Sequence, residues 1–375
     1  MIFYILLLIT LAYLSLIFWF IYGIENVKDE KLSSSPINNK FSIVIPFRNE
    51  EKNLNSLLKT LLDIDFTKNA FEVIFVDDES TDKSREQISS VLKDSSIDFS
   101  IIDNERFSNS PKKDAITKAL KIAKYNWIVT TDSDCYLPES WLLTFNNFIN
   151  SKHPKMIVAP VTFTSNGSFF EEFQYLDFLS LQNATIGGFG IQKPFLSNGA
   201  NLAYRKDGFD KLNGFDNNNS IASGDDVFLL EKFLKNYPKY VHYLKSYDAL
   251  VATKPEKNLK NLVQQRVRWA AKTTSYNNWF GKLVGFIILL MNATVLDSIL
   301  FVLIGLLNWN ELLLILTCKF SVDFIFLNKT TSFFKKPICI KYYLINAFLY
   351  SFFSVYVAFY AMLFNYKWKG RTYSK

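Results

Sequence analysis

Residues 2–22, IFYILLLITLAYLSLIFWFIY, carry no charge, and a helix of about twenty such residues spans the roughly 30 Å hydrocarbon core of a bilayer. No basic segment precedes the run and no small-x-small cleavage site follows it, so it is expected to be a retained anchor. Apolar runs return at 283–309, 311–327 and 342–365. The first and last of these are long enough to span. The middle one is short and carries Lys319 and Asp323, which leaves spanning, interfacial and re-entrant placements open. Lys335, Lys336 and Lys341 before the last run, and Lys367, Lys369, Arg371 and Lys375 after it, all favour the cytoplasmic side. Three full crossings would separate those two groups, so one segment is expected not to be a simple span.

Between the apolar ends lies a polar middle. The net charge of +7 suits an anionic membrane surface, and with such ends the membrane, not nucleic acid, is the expected partner of this basic chain. Only two histidines are present, His153 and His242. That excludes a multi-histidine metal site and argues against a Ser-His-Asp triad. Cys135, Cys318 and Cys339 form no Cys-x-x-Cys pair, as expected of a chain whose polar part faces a reducing compartment.

The middle alternates strand and helix patterns. Phe41–Pro46 and Phe71–Val76 are short apolar strands of the kind buried on both faces of a parallel sheet. Leu54, Leu57, Leu58, Leu61 and Leu62 repeat with the spacing of one helical face. A strand at Phe99–Ile102, a basic helix at Lys112–Lys124 and a strand at Trp127–Val129 complete the series, which implies an α/β, doubly wound, mostly parallel sheet. Expected boundaries are a transmembrane anchor at 1–23, a linker at 24–40 and the α/β domain at 41–272. An interfacial segment at 273–282, a membrane region at 283–366 and a basic tail at 367–375 follow.

Ligands bind such sheets outside the carboxyl ends of the strands. Arg48, Asp77, Asp78, Asp132 and Asp134 all fall there. Asp132 and Asp134, at i and i+2 off a strand end, can face the same way and offer oxygen ligands to a hard cation such as Mg²⁺ or Mn²⁺. No Gly-x-Gly-x-x-Gly follows the first strand and no P-loop occurs, which disfavours dinucleotide and P-loop chemistry. Further on, Gly187-Gly188-Phe189-Gly190 reads as flexible. Ser223-Gly224-Asp225-Asp226 precedes an apolar run, placing two carboxylates near a helix N-terminus that favours their ionised form. Gln265, Arg268 and Trp269 share a face of another helix.

The order Val76-Asp77-Asp78-Glu79-Ser80, Asp132-Ser133-Asp134, Gly224-Asp225-Asp226 and Gln265-x-x-Arg268-Trp269 resembles the family 2 glycosyltransferases, membrane enzymes of the GT-A fold. The resemblance covers about residues 41–272. It implies a nucleotide site built from Pro46, Arg48, Glu50, Asp77, Asp78 and Lys113, and a divalent cation on Asp132 and Asp134. It further implies Asp226 as general base, with Asp225 as the alternative, and Gln265, Arg268 and Trp269 at the donor diphosphate and acceptor entrance. Two positions depart from the family pattern: Asp-Asp-Gly-Ser is Asp-Asp-Glu-Ser here, and Glu-Asp is Asp-Asp.

The expected activity is inverting, metal-dependent transfer of one sugar from a UDP-sugar to a lipid or lipid-linked glycan at a bacterial inner membrane, with the catalytic domain cytoplasmic. The alternatives are a processive polysaccharide synthase and an inactive membrane-anchored scaffold of the same fold.

Overall fold

A computed structural model of the chain describes residues 1–165, 167–216, 223–272, 277–368 and 371–373. Residues 273–276 of the interfacial segment, and Lys369 and Lys375 of the tail, lie outside the described residues. The contacts divide the chain into two compact units. One comprises Lys28–Thr164 and Ser197–Lys254; the other comprises Met1–Val27, Ser165–Leu196 and Pro255–Lys375.

The first unit is an α/β layer structure. Its strands are β1 (Phe41–Phe47), β2 (Phe71–Asp77), β3 (Asp98–Asp103), β4 (Trp127–Thr130), β5 (Met156–Val158), β6 (Val161–Phe163), β7 (Leu202–Arg205), β8 (Val241–Tyr243) and β9 (Val251–Thr253). Seven of them form a sheet of order β3-β2-β1-β4-β7-β5-β8, while β6 and β9 pair separately. In the seven-stranded sheet β7 runs antiparallel to both β4 and β5, and the remaining pairings are parallel. The sheet is therefore mostly parallel, as the unbroken apolar runs predict. Every residue of β1 except Pro46 is buried, and all of β2 is buried, because helices cover both faces. On the Glu51–Leu62 helix, Leu54, Leu57, Leu58 and Leu61 form the buried stripe, whereas Leu62 at its end is exposed.

Register fixes the functional edge. Phe47 pairs with Asp77 and Asp77 with Asp103, so β1, β2 and β3 end together, while β4 ends at Thr130 opposite Val44, three residues short of the end of β1. The reversed β7 starts at that edge, since Thr130 pairs with Leu202. The turn Asn198–Asn201 therefore lies beside Asp132. Asn201 anchors this turn: its buried amide donates to the Pro160 and Ala249 carbonyls at 2.8 and 2.7 Å and accepts from Trp141 Nε1 at 3.0 Å.

The second unit is mainly helical, with one short antiparallel pair of strands, Tyr366–Trp368 and Arg371–Tyr373. Ile2–Asn26, Trp279–Leu303 and Ile340–Leu363 are long and apolar enough to cross a membrane. The helix Trp309–Asn328 covers the ambiguous middle run and turns its charges inward. Lys319 Nζ lies 2.6 Å from Asp323 Oδ2, and the Tyr13 hydroxyl donates to the same carboxylate, so neither charge is left unpaired in an apolar bundle. The glycines expected to be flexible are instead the last turns of a 22-residue helix, Phe169–Gly190. Their lack of a side chain lets this helix and Ile2–Asn26 press backbone to backbone.

Candidate active site

The carboxyl edge of the α/β unit gathers two groups of charges. Around β1 and β2, Arg48 Nη1 donates to the Asp78 carbonyl at 2.5 Å and approaches the Asp78 carboxylate at 3.8 Å. Arg106 and Asn104 meet Asp78 Oδ1 at 3.2 and 2.8 Å. Asp77 accepts from the Ser80 amide at 2.9 Å and lies 3.6 Å from Arg85. Glu79, standing where the family pattern has glycine, adopts φ +60°, the left-handed conformation that glycine takes without steric cost. Glu50 is buried and accepts from Asn53 at 2.7 Å, while its amide donates to Ser84 Oγ at 2.8 Å. Pro46 is half-buried within β1.

Beyond β4, Thr131, Ser133 and Cys135 are buried while Asp132 and Asp134 are half-buried. Both carboxylates are thus partly open to solvent. Among the described residues no group of three or more His, Cys, Asp or Glu forms a cation site. Two partly exposed carboxylates two residues apart nevertheless fit Mg²⁺ or Mn²⁺, which take hard oxygen ligands and fill the remaining shell with water and phosphate.

Lys112 ties this pair to the second acidic motif. Its Nζ is 2.6 Å from Asp132 Oδ1 and 3.3 Å from Asp225 Oδ2. Burial alone would lower its pKa; the carboxylates of Asp132, Asp225 and Asp226 overcome that and raise it. Asp225 and Asp226 open the Asp225–Asn236 helix behind Gly224, whose φ of +85° turns the chain into it. Asp226 is buried, and its Oδ1 accepts from the Val227 amide at 2.8 Å. Thus the structure brings Asp132 and Asp225 to one lysine, although about ninety residues separate them in the chain.

Lys112 and Gly199 were missed in the sequence. Lys113, expected at the nucleotide, is buried with its ammonium 4.8 Å from the centre of the Phe228 ring. Consecutive helical residues point about 100° apart, and a pair of lysines gives no hint of which turns to the site. At Gly199 an added Cβ would lie 2.8 Å from Asp225 Oδ2 and 3.1 Å from Lys112 Nζ, so only glycine fits without displacing them.

The second unit carries Gln265, Arg268 and Trp269 on the Leu259–Ala271 helix. Here the buried arginine is Arg266, which pairs with Asp177 and lies 4.1 Å above the Trp269 ring. Gln265 is held by Arg266 and, at 3.0 Å, by Glu256. Arg268 is half-buried. The signal for Arg266 was Asp177, a lone carboxylate in the apolar stretch Tyr175–Leu179.

The family model described as Glycosyl transferase family 2 matches residues 42–212. That span contains β1 to β7 and the Asp77, Asp78, Asp132 and Asp134 positions. Residues 42–212 thus form a glycosyl transferase family 2 domain. One relative is the poly(ribitol-phosphate) beta-N-acetylglucosaminyltransferase TarS of Staphylococcus aureus (strain Mu50). It is 32% identical over 119 residues, covering 32% of this chain and 20% of that protein. The poly(ribitol-phosphate) beta-glucosyltransferase of Bacillus spizizenii is 37% identical over 114 residues, 29% of this chain and 17% of that protein. The chain thus spans about a fifth of the length of these relatives. Among solved structures, the mannosyltransferase PcManGT of Pyrobaculum calidifontis, in complex with GDP-Man and Mn²⁺, aligns with a TM-score of 0.62 at 15% identity. The alignment covers 94% of this chain and 99% of that one. This likeness shows the fold, the mostly parallel GT-A-like architecture expected of family 2.

Proposed function

We propose that this protein transfers a single sugar, with inversion, from a UDP-sugar to the hydroxyl of a lipid or lipid-linked glycan at the membrane. The observation that carries the reading is the Lys112 bridge, which joins the candidate metal pair to the candidate base pair at one sheet edge. Asp77 and Asp78 hold the nucleotide through its base and ribose, with Arg48 bracing their loop. Asp132 and Asp134 would hold Mg²⁺ or Mn²⁺, whose charge would offset that of the leaving diphosphate.

Asp226, at a helix N-terminus that favours a carboxylate, takes the proton of the acceptor hydroxyl. The hydroxyl oxygen then bonds to the anomeric carbon as the bond from that carbon to the diphosphate oxygen breaks, and UDP leaves. No protein nucleophile is needed, so one displacement inverts the anomeric centre. Asp225, held by Lys112, shapes the site. Gln265, Arg268 and Trp269 serve the diphosphate and the acceptor. The three apolar helices anchor the enzyme beside a membrane acceptor, with the catalytic unit on the cytoplasmic side.

Radiolabelled UDP-sugars and GDP-mannose, incubated with the purified chain and either membrane lipid or poly(ribitol phosphate), test donor and acceptor together. One labelled sugar per lipid acceptor, taken from a UDP-sugar, is the expected result. Label confined to poly(ribitol phosphate), or growth of a long glycan, would replace the acceptor class or the single-addition reading. Asp226→Asn is expected to abolish transfer; near wild-type turnover in it, with loss in Asp225→Asn, would move the base to Asp225.

A further inference from the structure

Lys112 lies in the first turn of the Pro111–Ile122 helix, with its side chain 18% exposed. One carboxylate it meets, Asp132, is 39% exposed and belongs to the candidate cation pair; the other, Asp225, is 12% exposed and belongs to the base motif. Gly199 faces this contact, where an added Cβ would press on both Lys112 Nζ and Asp225 Oδ2. Thr130 Oγ1 holds that turn in place by donating to the Gly199 carbonyl at 2.9 Å.

A cation such as Mg²⁺ bonds a carboxylate oxygen at about 2.0–2.1 Å. An ammonium 2.6 Å from the same carboxylate would then stand a few ångströms from a double positive charge. Like charges that close repel strongly in a partly buried site. Lysine can leave, because its four-carbon stem is flexible and its charge is a point that any anion can receive. Asp225 is already within reach, and a diphosphate brought by the donor would be a second receiver.

We propose that Lys112 competes with the divalent cation for Asp132, so that metal binds weakly alone and strongly once a diphosphate takes over the lysine. The inference rests on Asp132 being a metal ligand. It makes metal and donor load together, with Lys112 passing from Asp132 to Asp225 and the diphosphate as they do.

Mn²⁺ binding to the full chain in detergent, measured from the free-ion EPR signal with and without UDP, tests this without turnover. Lys112→Met is expected to tighten Mn²⁺ binding about tenfold in the absence of UDP, and to shrink the gain that UDP brings. Lys112→Gln keeps a hydrogen-bond donor for both carboxylates but no charge, and carries the same expectation should Lys112→Met fail to fold. Asp132→Asn is expected to lose Mn²⁺ binding. Unchanged or weaker Mn²⁺ binding in both lysine variants, with binding lost in Asp132→Asn, would overturn the competition and leave the metal site standing. Wild-type binding in Asp132→Asn would overturn the metal reading, and the competition with it.

Discussion

Gly23 and Gly187 meet backbone to backbone: a Cβ on Gly23 would stand 2.2 Å from the Gly187 carbonyl oxygen. One on Gly190 would stand 1.8 Å from the Gly23 carbonyl oxygen. Because the obstacles are backbone atoms, the helices themselves must separate. Gly23→Ala and Gly187→Ala are each expected to cost at least the roughly 1–3 kcal/mol of overpacking, seen as a lower melting temperature in detergent. Gly285→Ala, where a Cβ meets nothing within 4 Å, is the control and is expected to melt like the wild type.

Glu79 holds the place of the family's glycine at φ +60°, a conformation that costs an L-residue roughly 1–2 kcal/mol. Its side chain is 67% exposed, and its contact with Arg48 is of the surface kind that contributes about 0–1 kcal/mol. Glu79→Gly is therefore expected to leave thermal stability unchanged or raise it. Glu79→Val, with a branched Cβ at the same φ, is expected to lower it.

Arg266 and Asp177 form a buried ion pair. Removing one partner strands the other charge, so Arg266→Met is expected to destabilise by about 3–5 kcal/mol. Arg266→Met combined with Asp177→Leu leaves no stranded charge and is expected to recover most of that loss in a denaturation series. Because Arg266 also lies over Trp269, the double variant is expected to fold while transferring sugar more slowly.

Gly199→Ala separates fold from chemistry. The atoms its Cβ would press on are the ends of the Asp225 and Lys112 side chains, which can shift at little cost to the fold. Melting is expected to move by less than about 1 kcal/mol equivalent. On the proposed mechanism turnover depends on the placement of those charges, and it is expected to fall by about tenfold or more. Parallel melting and rate measurements on one preparation check both.

The parts legible in the sequence were those that follow from local pattern. β1, β2 and β4 are buried on both faces, so they read as unbroken apolar runs, and their ends located Asp77, Asp78, Asp132 and Asp134. The inward pairing of Lys319 and Asp323 was not legible, because the partner hydroxyl on Tyr13 comes from the other end of the chain. The reversal of β7 was hidden for a similar reason. Leu202–Arg205 is four residues long, and its direction is set by pairing with β4 and β5, not by its own residues. Lys112 and Lys113 differ only by a turn of the helix that brings one to the acids and the other over Phe228. Gly187–Gly190 read as flexible because composition cannot distinguish a loop glycine from one that admits a neighbouring helix.

The most direct test of the account is UDP release from a panel of UDP-sugars by the purified full chain, in Mn²⁺ and in excess EDTA, alongside Asp132→Asn/Asp134→Asn. Release is expected from one UDP-sugar, abolished by EDTA and restored by fresh Mn²⁺, with none from the double variant. Release that persists in EDTA and in the double variant would contradict the metal-dependent mechanism, and no release from any donor would contradict the transferase itself.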